Sequence, residues 1–186
     1  MRRWLDALLG RTRTAKPNLD ALFTLPSAAV TLQAATGFTP TGVGSVCFRA
    51  AEGGAFARLQ REARQLLGEG VEVVKDGYGY TWMVVRRSPD DLSALVTELH
   101  AINSTLEGAG FGPSLLCSLV GFTGSEGRRL AVVYLYKQGT FYPFAPVGEQ
   151  RRDNALELQA RGALAGELPI EKDLGRWFPV WGAPGL

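Results

Sequence analysis

The chain has 186 residues but one histidine, His100, and two cysteines, Cys47 and Cys117. A single imidazole excludes His-rich metal cages, zincin-type pairs and two-histidine relays within one chain, and two cysteines cannot complete a zinc ribbon. Ser-His-Asp and Cys-His catalysis would both have to use His100. The cysteines lie far apart inside apolar runs with no secretory pattern ahead of them, which predicts reduced, packed thiols in a cytosolic protein. Lysine is scarce as well: Lys16, Lys75, Lys137 and Lys172 stand against sixteen arginines. A formal net charge of +2 is too small to mark a nucleic-acid binder. No run approaches the roughly 18 to 20 apolar residues that cross a bilayer, and the first segment is recharged too soon for a secretory signal. An integral membrane protein is not expected.

What is present fits one soluble domain, because 46% of the residues are apolar and 20% charged. Residues 1–16 stand apart as a short basic amphipathic segment and tether, and residues 17–186 form the domain. In the first segment Trp4, Leu5, Leu8 and Leu9 share one face of a helix over residues 3–10, beside Arg2, Arg3, Arg11 and Arg13. So short a helix forms only against another surface. Asn18 reads as the cap of a helix through Phe23 that Pro26 ends, and Ser27 as the cap of a second helix closed at Gly37.

From Thr39 the pattern turns to strands. Ser45 to Arg49 is a short strand, a helix spans Gly54 to Leu67, and Val71 to Lys75 pairs with Tyr80 to Arg87 across Asp76-Gly77. Ser88-Pro89-Asp90-Asp91 opens a helix carrying Leu92, Leu95, Val96, Leu99, Ile102 and Leu106 at helical spacing, stopped by Gly108 and Gly110. A second hairpin joins Leu115–Phe122 to Arg129–Lys137, with a third strand at Thr140–Phe144. Apolar residues on both faces of Arg129–Lys137 mark a central strand covered on each side. A last helix from about Glu149 to Ala163 sets Glu157 four residues before Arg161 for a surface pair, and the tail from Trp177 is extended and aromatic. The sum is an α+β fold: a mainly antiparallel sheet of about six strands with helices packed on it.

Candidate sites are few. His100 falls at the edge of its helix's apolar stripe and reads as a structural boundary residue, while Asn103 lies within the stripe and requires a hydrogen bond to the adjacent sheet. The glycine pairs at Gly42/Gly44 and Gly108/Gly110 lack the strand, loop and helix order of a phosphate site. Asp90 and Asp91 are accounted for by capping, and no metal or cofactor site is expected. The strand aromatics Tyr78, Tyr80, Trp82, Tyr134 and Tyr136 favour a packed core or protein-binding groove over RNA, since no RNP-like pattern accompanies them. Phe141, Tyr142 and Phe144 read as an exposed apolar rim, because Pro143 and Pro146 disfavour further sheet pairing.

Strings along nearly the whole chain are similar to one family. Leu5-Asp-Ala-Leu-Leu-Gly10, Lys16-Pro-Asn-Leu-Asp-Ala-Leu-Phe23, Thr41-Gly-Val-Gly-Ser-Val-Cys-Phe-Arg49, Asp76-Gly-Tyr-Gly-Tyr-Thr-Trp82, Tyr134-Leu-Tyr-Lys-Gln-Gly-Thr-Phe-Tyr-Pro-Phe144 and Gly175-Arg-Trp-Phe-Pro-Val-Trp181 resemble the phage-shock-protein-A-associated family PspAB. The order of elements is also similar to YbjN-like and type III secretion chaperone folds. The PspAB resemblance implies a cytoplasmic bacterial protein acting with phage shock protein A in the envelope-stress response, with no catalytic residues to carry over. The expected function is therefore a non-enzymatic adaptor, with Trp4, Leu5, Leu8, Leu9, Phe141, Tyr142 and Phe144 as contacts to the partner or to an anionic membrane surface. A homodimer is compatible with the sequence. The rival is a small-molecule binder or a hydrolase built on Glu149, Arg151, Arg152 and Asp153. Converging carboxylates of raised pKa in a deep apolar pocket would mark it.

Overall fold

A computed structural model describes residues 17–49, 54–68 and 70–186. The segment 1–16, with Trp4, Leu5, Leu8 and Leu9, lies outside them. The described elements in chain order are α1 (Leu25–Thr36), β1 (Thr39–Arg49), α2 (Gly54–Leu67), β2 (Val71–Lys75), β3 (Tyr80–Arg86), α3 (Leu92–Gly108), β4 (Leu115–Thr123), β5 (Arg129–Leu135), β6 (Thr140–Phe144) and α4 (Asn154–Leu164). The strands form one antiparallel sheet in the order β2-β3-β1-β4-β5-β6. This is the expected α+β architecture. Strand β1 sits between the β2–β3 hairpin and the β4–β5–β6 meander, so the first strand in sequence joins the two units that follow it.

One face of the sheet is covered by helices. Leu95, Val96, Leu99, Ile102 and Leu106 of α3 are fully buried against it, with Leu25, Ala28 and Leu32 of α1 and Leu156, Ala160 and Leu164 of α4 beside them. Each large aliphatic side chain so buried is worth about 1.5–3 kcal/mol relative to exposure. Asn103 is buried in this layer as expected, donating to the Leu99 carbonyl and to Ser118 Oγ on β4, both at 2.8 Å.

The second face is also apolar, with Cys47, Trp82, Val84, Leu119, Val133, Tyr142 and Phe144 buried there. No helix covers it. The chain after residue 170 folds back as a strap, placing Trp177 and Ala183 in this cluster. Tyr142 Oη donates to the Phe178 carbonyl (2.7 Å), Ser45 Oγ to the Pro184 carbonyl (3.1 Å), and Arg152 Nη1 to the Trp177 carbonyl. The tail is thus a packed layer.

Several local expectations change. The 3-10 turn Leu19–Thr24 runs directly into α1, so Pro26 sits in that helix's first turn, where its missing N–H costs nothing. Strand β1 starts at Thr39, well before Ser45, because a bulge between Pro40 and Gly44 lets it continue. Gly42 makes that bulge feasible: its φ is +80°, and a Cβ there would meet the Arg87 carbonyl oxygen at 2.2 Å. The β2–β3 turn takes its positive φ at Gly79, not Gly77, because it spans four residues. Helix α3 opens at Leu92, with Asp91 accepting the Ala94 amide (3.0 Å), and α4 opens at Asn154, with Asp153 accepting the Leu156 amide (2.9 Å). Glu157 does not form the expected surface pair with Arg161. It is buried and accepts from Arg152 Nε (2.7 Å) and the Ala145 amide (2.9 Å).

The exposed rim expected at Phe141, Tyr142 and Phe144 is not there, since all three are buried. Strand β6 pairs only with β5, so Pro143 is tolerated on it as an edge-strand proline. The outer edge of β6 is then closed by residues 169–171: the Phe141 amide donates to the Pro169 carbonyl (2.9 Å) and the Glu171 amide to the Phe141 carbonyl (2.8 Å).

The strap's fit depends on Gly121 of β4, where a Cβ would meet the Gly185 carbonyl oxygen at 2.2 Å. Gly121→Ala is expected to lower stability by about 1–3 kcal/mol, the usual cost of overpacking, measured by urea unfolding. An unchanged midpoint would contradict the docked tail.

Candidate functional site

The strap leaves part of the second face open. One register row across the sheet runs Val74, Trp82, Cys47, Cys117, Leu135, Thr140, each directly opposite the next. Trp82, Cys47, Cys117 and Leu135 of this row line a pocket of about 640 Å3, together with Tyr142. Asp76, Tyr78 and Tyr80 of the β2–β3 hairpin form one side, and Phe178, Pro179, Val180 and Trp181 of the strap form another. Leu116, Arg49, Lys137, Gln138 and Arg176 complete the lining among the described residues.

Asp76 organises the hairpin side. Its Oδ1 accepts the Tyr78 amide (2.8 Å) and the Tyr80 amide (2.9 Å), and its Oδ2 accepts the Trp82 indole N–H (2.9 Å). Burial opposes its ionisation, but the bonds from Trp82 and from the Tyr80, Tyr78 and Gly79 amides outweigh that and hold the carboxyl below its ordinary value. The only carboxylate lining the pocket among the described residues is therefore committed to fixing Trp82.

The strap side is held by stacking. Tyr142 stacks on Trp177 with centroids 6.0 Å apart, and Trp181 meets the edge of Phe144 at 4.9 Å. Burial pushes the Tyr142 hydroxyl upward, so it serves as a neutral donor to the Phe178 carbonyl. Arg152 ties α4, β6 and the strap together: besides Glu157 and the Trp177 carbonyl, its guanidinium lies 4.9 Å over the Phe144 ring.

Positive charge predominates at the mouth. Arg176 is engaged with Glu171 (3.9 Å), Asp173 (3.6 Å) and Gln138 Oε1 (3.2 Å). Arg49 and Lys137 form no ion pair among the described residues. Beside them Tyr78 and Phe178 are each 57% exposed.

Of the residues singled out by sequence, Tyr78, Tyr80 and Trp82 line this pocket, whereas the expected apolar rim and the other candidates are scattered relative to it. Tyr142 lines it; Phe144 lies under Trp181, and Phe141 faces the helices against Tyr134 (5.0 Å). His100 sits at the edge of the helix layer, with Nε2 3.1 Å from Asp20 Oδ1 and its ring 4.6 Å from Phe23. Among the described residues no group of three or more His, Cys, Asp or Glu could hold a metal ion. The set Glu149, Arg151, Arg152 and Asp153 does not converge on the pocket. Arg152 holds the strap, and Asp153 caps α4 and pairs with Arg128 (3.3 Å). Sequence reading missed Arg49, Arg176 and Phe178, and the meeting of Cys47 with Cys117. Strand alternation places Cys47 opposite in orientation to Phe48, but only the register brings it to Cys117.

A carboxyl held below its ordinary pKa adds stability above that ordinary value and loses it as pH falls through the folded value. The stability gap between the wild type and Asp76→Asn is therefore expected to be largest near neutrality and to shrink below about pH 4, read from urea midpoints over a pH series. A gap of constant size would contradict the ionised clip.

Among the described residues no helix is long and apolar enough to cross a membrane. No curated protein and no solved structure matches the chain. A protein-family model does match, over residues 2–185, and its description is PspA associated protein B. With nearly the whole length covered, the chain belongs to the PspAB family.

Proposed function

We propose that this protein is a cytoplasmic, non-enzymatic adaptor of the bacterial phage shock response that binds phage shock protein A at the mouth of the strap-side pocket. The family's description supports the choice of partner. The observation that carries the surface is the mouth itself: the exposed aromatics Tyr78 and Phe178 stand beside Arg49 and Lys137, which have no ion pair among the described residues. Aromatic and arginine side chains around a partly desolvated pocket are the composition of interface hot spots. An apolar side chain of the partner fills the pocket, and flanking carboxylates meet the two cations. The basic segment with Trp4, Leu5, Leu8 and Leu9 adds contact to the same partner or to an anionic membrane surface.

A small-molecule ligand is the second reading, favoured by a volume of about 640 Å3, which is within the range of ligand pockets. Its hydrolase form has less support, because Asp76 is held in the ionised state by its hydrogen bonds.

Calorimetric titration of phage shock protein A into the full chain tests the proposal. Tyr78→Ala and Phe178→Ala are each expected to weaken binding about tenfold or more, and Arg49→Glu with Lys137→Glu to weaken it further and flatten its salt dependence. Val30→Ala and Leu158→Ala, on exposed positions of α1 and α4, serve as controls that retain affinity. Wild-type affinity in the mouth variants would remove the pocket from the interface, and undiminished binding by residues 12–186 would remove the N-terminal segment.

A further inference from the structure

Cys47 and Cys117 are the only cysteines in the chain. They are free, buried and directly opposite on β1 and β4, and both line the pocket. Opposite residues of an antiparallel pair have Cα atoms about 4.5–5.5 Å apart with side chains on one face, close enough for two sulfurs to share one small ion. We propose that Cys47 and Cys117 form a two-thiolate binding site for a soft monovalent metal ion, of the class of copper(I) and its analogue silver(I).

The donor set selects the class. Thiolate sulfur prefers soft ions, whereas zinc in a structural site takes four ligands and calcium or magnesium requires oxygen. Among the described residues no third ligand is at hand, since Asp76 spends both oxygens on Tyr78, Tyr80 and Trp82, and His100 lies in the helix layer. Two sulfurs in line around a monovalent d10 ion need none.

The surroundings match the charge of such a complex. Binding follows M⁺ + 2 RSH → [M(SR)2]⁻ + 2 H⁺, with no change of oxidation state, and leaves one net negative charge at the pocket floor. Arg49 and Lys137 line the same pocket without an ion pair among the described residues, and so offset it. Trp82, Leu135 and Tyr142, buried like both cysteines, line the same pocket and make its floor largely apolar. A disulfide between the same residues satisfies the Cα spacing too, but it is neutral and gives these cations no counter-charge.

The test uses the full chain, reduced and free of oxygen, titrated with copper(I) against a chromogenic chelator and, separately, with silver(I). One ion bound per chain is expected, with release of two protons and quenching of tryptophan emission, because Trp82 adjoins Cys47 in the row. Cys47→Ser and Cys117→Ser should each lose stoichiometric binding while keeping the wild-type circular dichroism; Cys47→Ala and Cys117→Ala, closer to the apolar surroundings, repeat the comparison should a serine perturb the fold. Trp82→Phe should keep the ion and lose most of the quench. Binding that survives in a folded single-cysteine variant, absence of binding in the wild type, or a purified chain already closed as a disulfide that reductant does not open would each overturn the proposal. The site is separable from the partner surface: the cysteine variants leave the mouth residues intact, so their affinity for phage shock protein A reports on the adaptor reading alone.

Discussion

An antiparallel sheet with apolar side chains on both faces needs two covers, and this chain supplies them unequally. Helices α1, α3 and α4 close one face with a continuous aliphatic layer. Among the described residues the other face receives only the strap after residue 170, whose backbone has few carbonyl anchors: Phe178 on Tyr142, Pro184 on Ser45 and Trp177 on Arg152. A strap one chain thick cannot span six strands. Where it stops, the row containing Trp82, Cys47 and Cys117 becomes a pocket floor.

The same constraint explains the placement of charge. On the helix side Asn103 Nδ2 is tied to Ser118 and Glu157 to Arg152 and the Ala145 amide, while Asn103 Oδ1 has no hydrogen-bond partner among the described residues. An ion pair such as Arg152–Glu157 contributes little net stability when buried, but loss of one partner would strand the other. Its consequence here is positional, since Arg152 connects the start of α4 to the strap. At the pocket, by contrast, Arg49 and Lys137 are left without an ionic partner among the described residues.

Much of the architecture was legible because it is periodic. The apolar residues of α3 repeat at helical spacing and end at glycines, and β5 alternates with both faces apolar; the structure places Val132 and Tyr134 toward the helices and Ala131 and Val133 toward the strap. The strand pairings of the two hairpins and the Asn103 bond to the sheet were legible too, but other features set by tertiary contact were not. Glu157 looks like a surface residue in its own helix, yet Arg152 and the end of β6 enclose it. Phe141, Tyr142 and Phe144 are buried despite the neighbouring prolines because β6 is an edge strand, a position that no local pattern reveals. Cys47 and Cys117 sit in separate apolar runs, and no periodicity predicts that strand register will set them face to face.

The proposed function puts recognition on the partly covered face and leaves the helix layer a structural task. Hydrogen-exchange mass spectrometry of the full chain, alone and saturated with phage shock protein A, addresses that division directly. Added protection is expected in peptides from the β2–β3 turn and from the strap around residues 174–181, with α1 and α4 unchanged. Protection gained on α1 and α4 while the turn and strap exchange as before would contradict it.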